Sequence, residues 1–214
     1  MHPFYLLRRT PFVAIVDYNM GNLASVKNAF DLLGEKVTVE SDPDKLKTYD
    51  RIILPGVGAF GDAMEHLSSR GMDEAVREYA ASGKYLLGIC LGMQLLFESS
   101  EEFGITQGLG LIHGRVVAFD TSRFHTPLKV PHMGWNRMFT QTHPLFSGLD
   151  EAHYLYFVHS YHALCSDQND SIGESIYGYR FTSAVAHDNV MGIQPHPEKS
   201  HQNGLSILKN FINL

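Results

Sequence analysis

The stretch K-Y-L-L-G-I-C-L-G-M-Q-L-L-F, residues 84–97, decides how the rest of the chain reads. Its first half is an apolar run of strand length, and an amphipathic helix is expected behind Cys90. A cysteine between Gly88 and Gly92 at such a join fits the G-x-nucleophile-x-G elbow, a sharp turn that lifts a nucleophile to the carboxyl edge of an α/β sheet. Glycines are needed there because neighbouring backbone passes close to the turn. Unpaired N–H groups and the positive dipole end at a helix N-terminus also favour thiolate over thiol. The competing reading of Cys90 is a small apolar residue buried at a strand end, so a partner base has to decide between them.

Working outward, F-V-A-I-V-D-Y (12–18) is an apolar strand, and Leu23, Val26, Phe30 and Leu33 recur at helical spacing up to Gly34. K-V-T-V-E alternates like a half-buried strand and R-I-I-L-P reads as a buried one. One helical stretch through A-M-E-H-L and M-D-E-A-V-R-E-Y-A-A then leads to Gly83. Strands alternating with helices predict an α/β fold with a mostly parallel central sheet flanked by helices. From about residue 108 the pattern changes to short strand-like pieces: G-R-V-V-A-F, H-Y-L-Y-F-V-H-S-Y-H-A, T-S-A-V-A-H and N-V-M-G-I-Q. These are expected to form an antiparallel extension of the same sheet, closed by a helix in L-S-I-L-K-N-F-I-N-L.

With 214 residues, 44% of them hydrophobic, the chain suits one well-cored domain, assigned to residues 12–214, with residues 1–11 as an N-terminal extension. A net charge of -6 without any basic block argues against a nucleic-acid partner. No apolar run is long enough to span a bilayer and the opening residues lack a signal-peptide pattern, so no membrane association and a cytoplasmic location are expected. Two cysteines, Cys90 and Cys165, argue against a disulfide scaffold.

A base is offered by M-G-I-Q-P-H-P-E-K-S, in which His196 and Glu198 are two residues apart and would project to one side of an extended segment. Pro197 fixes φ and is expected to keep that segment from turning helical. Such a pair suits a general base oriented by a carboxylate, although His-Pro-Glu alone is an ordinary loop tripeptide. Twelve histidines raise the question of metal, but no H-E-x-x-H or C-x-x-C spacing occurs, and H-S-Y-H (159–162) would need ligands from afar. No metal and no cofactor are expected. L-P-G-V-G-A-F (54–60) can supply a backbone N–H to a developing oxyanion, the other donor being Leu91. It can equally be a plain turn or a phosphate cradle, although the P-loop lysine and hydroxyl do not follow.

P-G-V-G, G-I-C-L-G-M-Q and H-P-E-K-S, in that order and at these intervals, resemble class I glutamine amidotransferases of the triad type, which have a flavodoxin-like sheet. Within that class, D-Y-N-M-G-N-L (17–23), L-G-M-Q-L-L-F-E-S-S-E-E (91–102), V-P-H-M-G-W-N (130–136) and Y-F-V-H-S-Y (156–161) are similar to the glutaminase subunits of imidazole glycerol phosphate synthases. The likeness runs from about Phe12 to the C-terminus. It implies a Cys90 nucleophile, a His196 base and an orienting Glu198, with the N–H groups of Val57 and Leu91 as the oxyanion hole. Gly56, Gly58, Gln94, Glu102, Ser160 and Tyr161 would hold L-glutamine, Glu102 at the ammonium group. Trp135, Asn136, Tyr156 and Lys199 would meet a (β/α)₈-barrel cyclase subunit in a heterodimer. That partner would use the ammonia to make imidazole glycerol phosphate and an aminoimidazole carboxamide ribotide (AICAR) in histidine biosynthesis. Composition alone would put Trp135 in the core and Glu102 at a solvated helix end. Pro195 stands where the family usually has an aromatic, and His113 where a proline is common. Other readings are a cysteine hydrolase of different specificity, a non-catalytic scaffold subunit, or, within the family, a glutaminase feeding amidino-sugar synthesis.

Overall fold

A computed structural model of the chain describes residues 11–214, so the expected extension, apart from Pro11, lies outside the described residues. In the first half β1 (Val13–Val16), β2 (Val37–Glu40), β3 (Arg51–Leu54) and β4 (Tyr85–Ile89) alternate with α1 (Leu23–Leu32), α2 (Phe60–Ser68), α3 (Met72–Ala81) and α4 (Leu91–Leu95). Asn22 caps α1 by accepting from the Ser25 N–H at 3.4 Å, the role its short polar side chain fills at a helix start. The helical stretch read as one element is two helices, parted at Gly71, whose left-handed φ of 68° is open to glycine. Helix α4 is only five residues long, because the chain drops from it straight into β5 (Phe97–Ser100).

The second half adds β6 (Thr106–Gln107), β7 (Ile112–Ala118), β8 (His132–Thr140), β9 (Ala152–His159), β10 (Tyr161–Cys165), β11 (Ser171–Tyr177), β12 (Tyr179–His187), β13 (Val190–Ile193) and α5 (His201–Asn213). The thirteen described strands belong to one sheet whose main path runs β2-β1-β3-β4-β13-β12-β10-β7-β5-β6. A hairpin of β8 and β9 joins this path through β11.

Three further expectations change. N-V-M-G-I-Q was placed in the antiparallel extension, but β13 runs parallel to β4. Turning back from β12 points β13 along β4, so it is antiparallel on one side only and closes the parallel core, with all four residues buried. The run H-Y-L-Y-F-V-H-S-Y-H-A is not one strand, because it breaks at Ser160 and passes from the hairpin into the main sheet. Strands β5, β6, β8 and β11, absent from the sequence reading, complete the sheet.

Alternate residues of β1 enter opposite layers. Ala14 and Val16 pack with Phe60, Leu67 and Val76 of α2 and α3, whereas Val13 and Ile15 pack with Phe30 of α1 and Phe211 of α5. A strand covered on both faces has no polar side, which is why β1, β3 and β13 read as continuous apolar runs. Among the described residues no helix is long and apolar enough to cross a membrane.

Candidate active site

Strands β3 and β4 are parallel neighbours, so the P-G-V-G turn after the first and Cys90 after the second reach the same sheet edge. Cys90 has φ 56° and ψ -112°, a strained conformation for a residue with a side chain. The glycines allow it through close approach: a Cβ on Gly88 would lie 2.6 Å from the Gly92 carbonyl oxygen, and one on Gly92 would overlap the Leu54 carbonyl. The Cys90 N–H donates to the Ile193 carbonyl at 2.8 Å, tying the elbow to β13. Its sulfur lies 3.9 Å from the Val158 carbonyl oxygen and 3.8 Å from Gln194 Nε2.

His196 arrives from the end of β13, and its N–H donates to the Tyr156 carbonyl at 2.8 Å, bridging it to β9. The sequence reading kept this segment wholly extended, but Pro197–Lys199 forms a turn of 3-10 helix. Only His196 itself is extended, as a residue before proline must be, while proline is well suited to open a helical turn. That turn brings Glu198 under the ring, with Oε1 2.7 Å from Nδ1 and both side chains almost wholly buried. Burial alone would lower the basicity of the imidazole. Hydrogen bonding to the Cys90 sulfur and the Glu198 carboxylate, with the negative charge these carry, outweighs it and pushes His196 up to about 10. Nδ1–H donates to Glu198, which leaves the buried Nε2 for Cys90.

Thiol and imidazole open on a cavity of about 320 Å³ whose wall includes Val57, Gly58, Leu91, Gln94, Glu102, Ser160 and Tyr161. Gly56 stands behind that wall, where a Cβ would lie 2.6 Å from the Tyr18 hydroxyl, and Gly58 has φ 100°. Glu102 is in the turn after β5 rather than at a helix end, and its Oε2 accepts the N–H of Phe60, first residue of α2, at 2.7 Å. A negative charge is well placed there, and it also faces the cavity.

Behind the wall lies a buried hydrogen-bond chain that the sequence reading missed. Tyr161's carbonyl accepts from Gln94 Nε2 at 3.0 Å and from His159 Nδ1 at 2.8 Å. His159 Nε2 accepts from His132 Nδ1 at 3.0 Å, and His132 Nε2 from Asn136 Nδ2 at 3.2 Å. Burial lowers His132 to about 4 and His159 to about 3, so both rings are neutral near pH 7, as this donor order requires. His162, the other histidine of H-S-Y-H, instead bonds the Ala163 carbonyl and the Tyr179 hydroxyl. The available signal was a polar residue at apolar strand ends, Gln194 in G-I-Q above all.

Trp135 is 47% exposed, stacked at 4.9 Å on His201 and edge-on to Tyr156 at 6.1 Å. The core assignment from composition is therefore wrong. Lys199 Nζ lies 5.9 Å from the centre of the Tyr156 ring, so Trp135, Tyr156 and Lys199 share one outward face. Asn136, the next residue of β8, turns into the histidine chain and also donates to the Ile176 carbonyl at 2.9 Å.

Residues 14–214 match the family model described as glutamine amidotransferase class-I. The chain is 75% identical over 199 residues to the imidazole glycerol phosphate synthase subunit HisH of Sulfurimonas denitrificans, covering 93% of this chain and 96% of that relative. It is 59% identical over 203 residues to the subunit of the same name from Wolinella succinogenes, covering 94% and 99%. Among solved structures, PurLQS from Thermotoga maritima is similar with a TM-score of 0.75 at 19% identity, over 96% of this chain and 99% of that chain. A crystal structure of glutamine amidotransferase gives 0.73 at 16% identity, over 94% and 97%. At those identities the structures speak for the fold alone.

Proposed function

The chain belongs to the class I glutamine amidotransferases, and from that premise we propose that it is the glutaminase subunit of an imidazole glycerol phosphate synthase, hydrolysing glutamine through Cys90 and passing the ammonia to a cyclase subunit. The observation that carries the chemistry is the buried 2.7 Å contact between His196 and Glu198, with the other ring nitrogen left to a thiol on a strained elbow.

The Cys90 thiolate attacks the carboxamide carbon of glutamine, forming the S–C bond while the carbonyl electrons move onto oxygen. N–H groups of Leu91 and Val57 receive that oxyanion. His196, its positive charge favoured by Glu198, gives the Nε2 proton to the leaving nitrogen as the C–N bond breaks and ammonia departs. Water then transfers a proton to His196 and attacks the thioester, releasing glutamate and restoring the thiolate. Gln94, Glu102, Ser160 and Tyr161 hold the amino-acid end, with Glu102 opposite the ammonium.

The resting enzyme is kept slow at the P-G-V-G turn. The peptide between Gly56 and Val57 rotates to aim the Val57 N–H at the substrate oxygen only when the partner and its ligand are bound. One missing oxyanion donor costs roughly 3 to 4 kcal/mol of transition-state stabilisation. Support comes from Gly58, whose φ of 100° already uses glycine's freedom beside Val57.

The names of the relatives imply a partner subunit. Support for a docking face comes from the exposed Trp135, beside Tyr156 and Lys199, because a half-exposed aromatic cluster is a typical interface anchor. Tyr156 is also bridged to His196, so docking acts one strand away from the base. The deciding experiment is product formation by the chain mixed with the cyclase. Cys90→Ser should abolish synthesis from glutamine and leave synthesis from ammonium salts intact. Loss of both, or of neither, would contradict the division of labour.

A further inference from the structure

We infer that Gln194 is a catalytic residue of this site, donating its side-chain N–H to the Cys90 sulfur and so holding the thiolate in its attacking position. The inference rests on Cys90 being the nucleophile of the proposed glutaminase.

The direction of the Gln194 amide follows from a group that can only accept. Tyr161's carbonyl takes one hydrogen from Gln94 Nε2, which fixes that amide. The second hydrogen of the same nitrogen then points at Gln194 Oε1, 3.0 Å away. Gln194 must accept there, and its own NH₂ end is left 3.8 Å from the Cys90 sulfur. Reversing Gln194 would set two NH₂ groups against each other. Its side chain is wholly buried, and a buried amide donor needs an acceptor.

The sulfur has matching needs. As a thiol it can donate to the Val158 carbonyl at 3.9 Å, but as a thiolate it faces that oxygen as a like partial charge. Donors must then come from elsewhere. Tyr18 is near enough to feel the charge of the sulfur, yet its neutral hydroxyl donates to the Pro55 carbonyl at 2.8 Å. His159 is neutral and engaged at both ring nitrogens. Among side chains this leaves the His196 imidazole and the Gln194 amide, beside the backbone N–H groups that open α4. His196 gives its proton away during the reaction and Gln194 cannot, so Gln194 serves the sulfur when the thiolate attacks and again when it is expelled from the thioester. It is also preorganised, since its backbone N–H donates to the Ser183 carbonyl at 2.8 Å and the adjoining Ile193 carbonyl holds the Cys90 N–H.

The test compares wild type with Gln194→Met, which keeps the volume and removes the donor, and with Gln194→Asn, which draws the amide back by one methylene. Alkylation of Cys90 by iodoacetamide at fixed pH is followed in the full chain, and glutamine kinetics in its complex with the cyclase. We expect alkylation and kcat to fall by about tenfold or more, as for a lost hydrogen bond to a charged group, with KM rising as well where Gln94 loses the Gln194 oxygen. If Gln194 only braced Gln94, KM would rise and the alkylation rate would stay at the wild-type value. That result in either variant that retains a cooperative unfolding transition overturns the assignment. Alkylation needs no glutamine, so a wild-type chain that leaves glutamine intact would remove the glutaminase reading without deciding the role of Gln194.

Discussion

Cys90 and Cys165 are both buried cysteines at the ends of strands, 7% and 5% exposed, yet their surroundings differ in every respect that matters for reactivity. Cys165 ends β10 in a regular antiparallel register opposite Gly114. Burial, with the nearby charges of Asp170 and Asp167, pushes its thiol up to about 11, against a weaker opposing bond from Thr182. Cys90 lies on a turn that ordinary residues avoid, with an imidazole and a primary amide about its sulfur. Burial is thus common to both. Reactivity comes from a backbone that projects the sulfur into a cavity and from the base that meets it there.

The largest effect should come from Cys90→Ser, with glutamine hydrolysis falling by at least about a thousandfold, as for removal of a catalytic nucleophile. Residual turnover that Cys165→Ala then removed would break the comparison. Glu198→Gln should cost about a hundredfold or more in kcat, because the ring loses the charge that orients it and supports its protonated form. Little change in KM would separate this from a binding defect.

Trp135→Ala is expected to weaken assembly with the cyclase by about 2 kcal/mol, roughly thirtyfold in Kd, if the exposed aromatic is an anchor. Titration by calorimetry would read it, and unchanged affinity would return Trp135 to a local stacking role on His201. Lys199→Ala should leave Kd closer to wild type and reduce the activation that docking brings.

A further contrast is electrostatic, since His132 and His159 behind the site are kept neutral whereas His196 beside Cys90 is pushed up. His159 and His132 are held near 3 and 4, below their ordinary value of 6.5. As pH falls below 6.5 the unfolded chain binds protons that the fold refuses, so stability is lost on acidification until the folded values are reached. Each ring contributes up to about 1.4 kcal/mol per pH unit in that window. Urea unfolding between pH 7 and 5 should show the loss, and His132→Phe should make it smaller. An equal slope in the variant would locate acid sensitivity elsewhere. The smallest effect is expected for Cys165→Ala: activity within about twofold and stability lower by about 1 kcal/mol, as for a small buried side chain.

The elbow, the P-G-V-G turn and the His-Pro-Glu segment were legible in the sequence because each depends on local backbone chemistry at glycine or proline. The first four strands were legible because burial on both faces leaves an apolar run. Strand β8 was not, since only His132 and Met138 of its nine residues are buried and the pattern carries no clean alternation. Ser160 hid a strand break because neither glycine nor proline marks it. The parallel direction of β13, the Gln194–Cys90 contact and the His132–His159 contact depend on residues 27 to 104 positions apart meeting in the fold, which spacing does not encode. The role of Pro197 was misjudged because proline blocks a helix interior but not its first position.

The most direct test of the account is covalent labelling with a diazoketone analogue of glutamine, an electrophile that must occupy the amino-acid site before it alkylates. Mass spectrometry of the labelled chain, alone and with the cyclase, should find one equivalent on Cys90 and none on Cys165, with glutaminase activity lost in step with the label and protection by added glutamine. A label on Cys165, or full activity with Cys90 modified, would contradict a site in which the elbow thiol is the nucleophile.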